Sequence, residues 1–328
     1  MKKTMLETVD LVKYFDTKNG IVHAVDHVNL SIPEGETLGV VGESGCGKST
    51  LGRTILNLIP ATSGQILFDG KNILERGGKS KDFRQKMQII FQDPYSSLDP
   101  RQTVFNLIAE PLKTNRMGTK AEMREKVEDI MNTVGLAPRL ANAYPHELDG
   151  GRRQRIGVAR ALVMDPKFVV CDEPVSALDV SIQAQILNLM MDVQEERGIT
   201  YMFITHDLSV VKHISHSIAV MYLGEVVELA PKEELFAHPR HPYTKALLSA
   251  VPIPDPSRRN MERQLIKGEV TSPIDPAPGC RFAPRCPYAT AACEEKEPSL
   301  HQFSDSHCVL CTAYDSPDFR IERGMKNG

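Results

Sequence analysis

The sequence predicts an α/β fold with a mainly parallel sheet, and two patterns along the chain support that prediction. Short apolar segments of strand length alternate with longer segments whose apolar residues recur at helical spacing. A glycine-rich loop also stands between an apolar segment and a helix-like one. Strands that alternate with helices form parallel sheets covered on both faces. A chain of 328 residues is too long for one core of ordinary size, so we expect two or three structural units.

The first part of the chain reads as strands and turns around one helix. Residues 21–32 (IVHAVDHVNLSI) alternate apolar and polar side chains, which predicts a strand with one buried face. The run PEGETLGVVGESGCGKSTLGRTILNLI then gives a turn, a buried strand, a glycine loop and a helix. The run SGQILFDGKNI continues with short strands separated by glycine turns.

The middle of the chain predicts two amphipathic helices and three short buried strands. Residues 121–136 carry apolar side chains at i, i+4 and i+7, and Gly135 takes the usual position at a helix end. Residues 181–198 form the second helix, and the strands are MQII, KFVVCDEP and TYMFITHD. Beyond residue 250, the run VPIPDPSRRN is rich in proline and charge, which predicts a linker or an extended arm.

The bulk composition excludes several classes of protein. Hydrophobic residues make up 41% and charged residues 25%, as in ordinary globular proteins. The net charge of −3 argues against non-specific nucleic-acid binding as the main role. No apolar run approaches the ~20 residues that span a bilayer, and the start MKKTMLETVD lacks the apolar core of a signal peptide. We therefore expect a cytosolic protein.

A glycine-rich loop marks a predicted phosphate site. Residues 42–49 (GESGCGKS) match G-x-x-x-x-G-K-[ST] between an apolar strand and a helix. In such a loop the backbone N–H groups wrap around phosphates, and the helix N-terminus adds positive potential. Lys48 would reach the β- and γ-phosphates, and Ser49 would ligate Mg²⁺. The predicted nucleotide contacts are Gly42, Ser44, Gly45, Cys46, Gly47, Lys48, Ser49 and Thr50.

Polar residues at three predicted strand ends complete the candidate site. Asp172 and Glu173 end the FVVC strand, where the first can hold Mg²⁺ through water and the second can orient or deprotonate the attacking water. Gln92 follows the MQII strand, and His206 ends the FIT strand at the same edge of the sheet. Taken singly, the acids could be helix caps and the histidine could be structural. We predict a nucleotide site because they share a location with the glycine loop.

The order of these motifs resembles that of ATP-binding subunits of ABC transporters, over about residues 4–250. The resemblance implies a P-loop ABC ATPase fold for residues 1–250, with an antiparallel β-subdomain and a helical subdomain at about 95–160. It makes Gln92 the Q-loop residue that also contacts Mg²⁺, and it places Asp179 in the D-loop. It makes His206 the switch histidine that senses the γ-phosphate. Phe15, or its neighbour Tyr14, matches the aromatic position that stacks on adenine.

The finer resemblance is to the oligopeptide and dipeptide importer branch (OppF/DppF-like). FQDPYSSLDPR, EPVSALDVSIQAQILNL and HPRHPYTKALLSAVP carry it, and GCRFAPRCPYATAAC in residues 251–328 is similar to the C-terminal extension of that branch. The resemblance implies an ATPase that powers peptide import through ATP-driven dimer closure at the cytoplasmic face of the cell membrane. It also implies a second, non-identical ATPase subunit, two transmembrane permease subunits and an extracellular substrate-binding protein, with no nucleic acid. Some relatives carry sugars or nickel, so the branch does not fix the cargo.

Two other functions are weighed against an importer ATPase. One is a soluble ABC protein acting on nucleic acid or ribosomes, a class that usually has two cassettes or a long coiled-coil insert. This chain has one cassette, no heptad run and no basic patch. The other is a regulatory or redox-sensing module centred on the cysteines, against which the intact Glu173 argues.

Asp149 is the main departure from the family pattern. In HELDGGRRQR, Leu148, Gly150 and Gly151 match the family's Leu-Ser-Gly-Gly-Gln signature, but Asp149 replaces the serine and Arg152 replaces the glutamine. The signature closes over the γ-phosphate held by the opposite subunit. An ionised Asp cannot donate a hydrogen bond, and two unit charges 4 Å apart repel by roughly 4 kcal/mol at a dielectric of 20. We favour one weakened composite ATP site over the alternative, a plain helix cap.

The cysteines fall into two groups. Cys46 and Cys171 are isolated and predict buried thiols, whereas five crowd into the C-terminal tail, which in a cytosolic chain favours a metal site. Their spacing does not give the two C-x2-C pairs of zinc ribbons, and four thiolates can hold a [4Fe–4S] cluster, with zinc as the alternative. The family resemblance selects Cys311 over Cys308 as the fourth ligand. The predicted cluster ligands are Cys280, Cys286, Cys293 and Cys311.

Overall fold

A computed structural model describes residues 2–75, 81–93, 97–250, 268, 272–316, 319 and 321. The predicted linker at 251–260 lies outside these residues. Among the helices within the described ranges, none combines the length and the apolar character that a membrane crossing requires.

The N-terminal strands form an antiparallel sheet whose order is β2-β1-β4-β5. Its strands are β1 (Thr4–Thr17), β2 (Gly20–Pro33), β4 (Ser63–Phe68) and β5 (Lys71–Asn72). The predicted strand at 21–32 is confirmed within β2. Alternating side chains of β1 and β2, such as Leu6 and Leu30, turn inward and join the core beneath the glycine loop. This sheet brings the aromatic pair Tyr14 and Phe15 close to the β2 strand that passes beneath the loop.

The main sheet has eight strands in the order β11-β12-β10-β9-β3-β8-β7-β6. Five of them run parallel, which confirms the predicted mainly parallel sheet. Every residue of β3, β7 and β8 is buried, as expected for strands covered on both faces. The parallel strands are β3 (Thr37–Val41), β6 (Met87–Ile90), β7 (Phe168–Asp172), β8 (Thr200–Ile204) and β9 (Ser217–Tyr222).

The other three strands of this sheet are joined to it and to one another by antiparallel pairing, and two of them come from the cysteine-rich segment. β10 (Glu225–Pro231) pairs with β9 on one side and with β12 (His307–Leu310) on the other, and β11 (Leu300–Ser304) forms the edge. A fully buried ion pair of 2.8 Å between His307 and Glu228 joins β12 to β10. The C-terminal segment is therefore part of the main sheet, which the sequence analysis did not predict.

The helices begin and end where capping residues and glycines stand. α4 starts at a capping box of Thr119 and Glu122 and is followed by Gly135 in the left-handed region, so the predicted helix at 121–136 is confirmed. The helix predicted at 181–198 is α6, which ends at Gly198. The helices are α1 (Lys48–Ile55), α2 (Lys81–Lys86), α3 (Val104–Asn115), α4 (Lys120–Thr133), α5 (Gly150–Leu162), α6 (Val180–Arg197), α7 (Leu208–Ile214), α8 (Lys232–Ala237), α9 (Pro242–Ala250) and α10 (Ala291–Glu295).

Helices α3, α4 and α5 pack on one another and on α6 around a single apolar cluster. They occupy the part of the chain where the helical subdomain is predicted. The boundaries at about 95–160 and at residue 250 stay predictions.

Candidate nucleotide-binding site

The glycine loop joins the end of β3 to the start of α1, as the motif predicts. The Lys48 side chain is buried and turns back over the loop, where its ammonium donates to the carbonyl oxygens of Gly42 at 2.8 Å and Glu43 at 2.9 Å. The Cys46 thiol also lies beneath the loop, 3.7 Å from the Lys48 ammonium. Burial raises the pKa of that thiol. Because these partners of Lys48 are two carbonyl oxygens and a thiol, its ammonium can swing toward a phosphate without breaking an ion pair with any of them.

Close backbone contacts fix the shape of this loop. Gly47, the residue before α1, has a φ of +102°, and a Cβ there would lie 2.0 Å from the carbonyl oxygen of Ala24 on β2. A Cβ on Gly42 would lie 2.2 Å from the carbonyl oxygen of Met221 on β9. Both positions therefore require glycine, and the antiparallel sheet and the main sheet together hold the loop in place.

The Asp172 carboxylate is fully engaged at the end of β7. Ser49, in the first turn of α1, donates its hydroxyl to Asp172 Oδ1 at 2.6 Å, and the Arg53 guanidinium lies 3.3 Å from Oδ2. The hydroxyl predicted to ligate Mg²⁺ and the acid predicted to hold the ion through water are thus direct neighbours. Oxygen ligands of this kind are those that Mg²⁺ prefers.

Gln92, Glu173 and His206 meet at one carboxylate. The Gln92 amide donates to Glu173 Oε2 at 2.9 Å, and His206 Nδ1 lies 3.3 Å from Oε1. Glu173 has a φ of +48°, a left-handed conformation that is uncommon outside glycine. Its N–H donates to the carbonyl oxygen of Ile204 on β8 at 2.9 Å, which helps to hold that conformation. Three residues from three strand ends are therefore brought together as predicted.

The two candidate aromatic residues have different environments. Tyr14 donates its hydroxyl to Asp26 and stacks on the His23 ring at a centroid distance of 4.0 Å. Phe15 is exposed, and the Lys13 ammonium lies 4.6 Å over its ring. Tyr14 is therefore already packed, while Phe15 offers an open ring face.

Asp149 and Asp179 both act as helix N-caps. The Asp149 carboxylate accepts from the Arg152 N–H at 2.8 Å at the start of α5, and Asp179 accepts from the Ile182 N–H at 3.0 Å at the start of α6. The Asp149 side chain is 61% exposed, and the Arg152 side chain lies 3.5 Å from its other oxygen. The capping alternative for Asp149 thus has the geometry it needs. Since a serine would cap in the same way, this geometry leaves the weakened composite site as a prediction.

Two family models match successive parts of this chain. The profile of the family described as ABC transporter matches residues 25–176, and that described as oligopeptide/dipeptide transporter, C-terminal region, matches residues 227–293. The oligopeptide transport ATP-binding protein AppF of Bacillus subtilis is 50% identical over 326 residues, covering 95% of this chain and 98% of that protein. The chain belongs to the ATP-binding proteins of oligopeptide ABC transporters. OppF of Salmonella typhimurium is also 50% identical, over 96% of this chain and 97% of that protein.

Solved structures of ABC ATPases share this fold. The cbiO1 subunit of a Clostridium perfringens ABC transporter complex superposes with a TM-score of 0.65 at 31% identity, over 72% of this chain and 92% of that one. A dimeric ATP-binding cassette in a post-hydrolysis state, bound to ADP and Pi, superposes with a TM-score of 0.61 at 29% identity, over 70% of this chain and 99% of that one. The chain is therefore an ABC-type ATPase.

The cysteines of the family's C-terminal region come together in the structure. The Cys280 N–H donates to the carbonyl oxygen of Cys293 at 2.7 Å, and a short helical turn, Ala283–Arg285, leads into Cys286. Burial raises the pKa of the Cys280, Cys286 and Cys311 thiols to about 11, and the charge of nearby thiols, including that of Cys293, adds to the effect.

Cys308 stands apart from this group. It pairs with Leu229 in the β10–β12 ladder, and burial followed by the charge of Glu228 raises the pKa of its thiol. Within the described ranges, no three His, Cys, Asp or Glu side chains are arranged to hold a metal ion. The isolated Cys46 and Cys171 are buried, as predicted.

Sequence reasoning missed the residues that support the loop from outside the motifs. Tyr243 in α9 accepts from the Glu43 N–H at 2.8 Å, and Arg285 pairs with the Glu43 carboxylate at 2.7 Å. Arg281 likewise pairs with Asp26 beneath Tyr14. These residues lie about 200 or more positions from their partners, so no local pattern indicates the contacts. The sequence did offer one signal for the Arg285 contact. Glu43 puts a carboxylate inside a phosphate-binding loop, and such a charge needs a positively charged partner.

Proposed function

We propose that this chain is the ATP-hydrolysing subunit of an oligopeptide importer and acts at the cytoplasmic face of the membrane. The observation that best supports this proposal is that Gln92 and His206 both contact the Glu173 carboxylate, on the sheet edge that also bears the loop with Lys48. Peptides are the proposed cargo because the relatives AppF and OppF, alike over nearly the whole chain, are oligopeptide transport ATP-binding proteins. Sugars and nickel are the alternative cargoes.

The proposed chemistry follows from what each side chain can do. Lys48 and the loop N–H groups bind the β- and γ-phosphates, and Phe15, or Tyr14 as the alternative, stacks on the adenine. Ser49 and Gln92 would ligate Mg²⁺ and Asp172 would hold the ion through water, and the bound ion would neutralise charge on the phosphates. Glu173 accepts a proton from the attacking water, while Gln92 and His206 hold its carboxylate in position.

Dimer closure would couple this chemistry to transport. The proposed partners are a second, non-identical ATPase subunit, two transmembrane permease subunits and an extracellular substrate-binding protein. Asp149, Gly150, Gly151 and Asp179 lie at the N-termini of α5 and α6, where they would face the partner ATPase. The site built from this chain's own loop would then close against the partner's signature.

A reconstituted complex tests the cargo. The chain would be purified from membranes with its co-purifying subunits and placed in vesicles with the substrate-binding protein. We expect short peptides to raise ATP hydrolysis and to enter the vesicles, whereas a sugar and Ni²⁺ should do neither. Stimulation by a sugar or by Ni²⁺, with no response to peptides, would overturn the proposed cargo while leaving the ATPase role intact. Recovery of ribosomes or nucleic acid in place of permease subunits would overturn the transporter role itself.

We also propose that Cys280, Cys286, Cys293 and Cys311 ligate a [4Fe–4S] cluster. The proximity of these four thiols and the separate position of Cys308 support that set. Zinc is the alternative, and it would need four sulfur atoms around one ion at ~2.3 Å. A cluster binds each thiolate to a different iron, so its ligands need not converge on one point.

Metal content distinguishes the cluster from its alternatives. Anaerobically purified chain should be brown, with iron and acid-labile sulfide near four each per chain. Cys286→Ser should lose the iron, whereas Cys308→Ser, the same change at a cysteine of β12, should retain it. Colourless protein with stoichiometric zinc would assign a zinc site, and colourless protein without metal would leave free thiols. If Cys308→Ser loses its iron and Cys311→Ser keeps it, the fourth ligand is Cys308 and not Cys311.

A further inference from the structure

Glu43 places a carboxylate inside the loop that must bind phosphates. Its carbonyl oxygen accepts from the Lys48 ammonium at 2.9 Å, and its N–H donates to the Tyr243 hydroxyl at 2.8 Å. The side chain is 24% exposed, so its charge is only partly screened by water. An unpaired carboxylate at this point would repel the nucleotide and would also attract Lys48 away from it.

Arg285 neutralises that carboxylate with a two-pronged contact. Its Nη1 lies 2.7 Å from Glu43 Oε2, and its Nη2 lies 3.1 Å from Oε1. The Arg285 side chain is only 6% exposed and is also 3.3 Å from the Tyr222 hydroxyl, so it has little freedom to move. A planar guanidinium suits this geometry, which a lysine ammonium cannot reproduce.

Arg281 makes a similar ion pair near Tyr14, one of the two candidate adenine-stacking residues. It pairs with Asp26, which also accepts hydrogen bonds from Tyr14 and His23. Burial would raise the pKa of Asp26, but these hydrogen bonds outweigh burial and hold the pKa below its usual value. Arg281 follows Cys280 directly, and Arg285 precedes Cys286, so both contacts come from one short segment of the C-terminal region.

We propose that Arg285 is a positioning residue for nucleotide binding, which acts by cancelling the Glu43 charge within the glycine loop. The proposal rests on the nucleotide site proposed above. Arg281 gives the same support to Asp26 and thereby to the strand that carries Tyr14 and Phe15. The cysteine-rich segment is thus a structural component of the ATP site.

A double-mutant cycle on the full chain tests the proposal, with MgATP binding as the readout. Arg285→Gln should weaken MgATP binding by about tenfold, because it leaves the Glu43 charge unpaired beside the phosphates. Glu43→Gln alone should tighten binding, because it removes a negative charge while Arg285 stays. The double variant should recover most of the lost affinity, which a merely structural role for Arg285 would not allow. Arg124→Gln, which removes an exposed ion pair in α4, is the matched control and should bind as the unaltered chain does.

Two results would overturn the proposal. One is Arg285→Gln that binds MgATP as tightly as the unaltered chain, and the other is a double variant as weak as Arg285→Gln itself. Thermal unfolding of each variant identifies a folding defect. Should Arg285→Gln fail to fold, Arg285→Lys enters the same cycle. It keeps the charge but loses the two-pronged contact, so its loss should be smaller and should again disappear with Glu43→Gln.

Discussion

Replacing Glu173 with glutamine should slow ATP hydrolysis by the assembled transporter at least about a hundredfold while leaving ATP binding intact. Gln cannot accept the proton from water, yet it keeps the shape of the side chain and its hydrogen bond to Gln92. Unhydrolysed ATP should therefore hold the two ATPase subunits closed. Steady-state hydrolysis and nucleotide retention on the complex are the two measurements. Near-normal turnover would remove Glu173 from the proposed catalytic role.

The equivalent acid of the partner ATPase provides the comparison that decides the role of Asp149. If Asp149 weakens the site that it closes, the partner's acid should matter less than Glu173, and Asp149→Ser should raise turnover. If Asp149 is only the cap seen at α5, serine caps equally well and little should change. Equal losses from the two acids, with no gain from Asp149→Ser, would therefore contradict the asymmetric interpretation.

Gly47→Ala should reduce nucleotide binding at least about a hundredfold. An alanine here would have to adopt a φ of +102°, and its Cβ would lie 2.0 Å from the carbonyl oxygen of Ala24, so the loop must move. A displacement near 1 Å in a binding loop is enough for an effect of this size. Titration with a fluorescent ATP analogue measures the loss.

Gly157→Ala is the matched control for this substitution. Gly157 lies inside α5, where an added Cβ meets nothing within 4 Å, and alanine favours helix over glycine. The control should bind nucleotide normally and unfold at the same or a higher temperature. Normal binding by Gly47→Ala would show that β2 yields to the loop, contrary to the close contact described above.

Local motifs were sufficient to predict most of the fold and the centre of the site. The buried strands β3, β7 and β8 are continuous apolar runs, and the loop with Lys48 lies inside a motif whose glycines have a definite backbone role. Gln92, Glu173 and His206 could be placed together because the carboxyl ends of parallel strands meet at one edge of a sheet.

What the sequence could not supply depends on contacts between distant segments. The pairing of β12 with β10 joins short strands about 80 residues apart, and neither strand is long enough to predict its neighbour. The Arg285–Glu43 contact spans 242 positions, and arginine is common on protein surfaces, so its burial was not foreseeable. The different surroundings of Tyr14 and Phe15 also depend on Asp26, which accepts a hydrogen bond from the Tyr14 hydroxyl.

The two C-terminal strands also protect the rest of the main sheet. A chain cut at residue 250 would leave β10 with a row of unpaired N–H and C=O groups, a known template for aggregation. It would also remove His307, so the buried Glu228 carboxylate would lose the partner of its ion pair. The ATPase cassette of this chain is therefore not a portable module: the sheet that carries its proposed catalytic residues has all its strands only when β11 and β12 have been made.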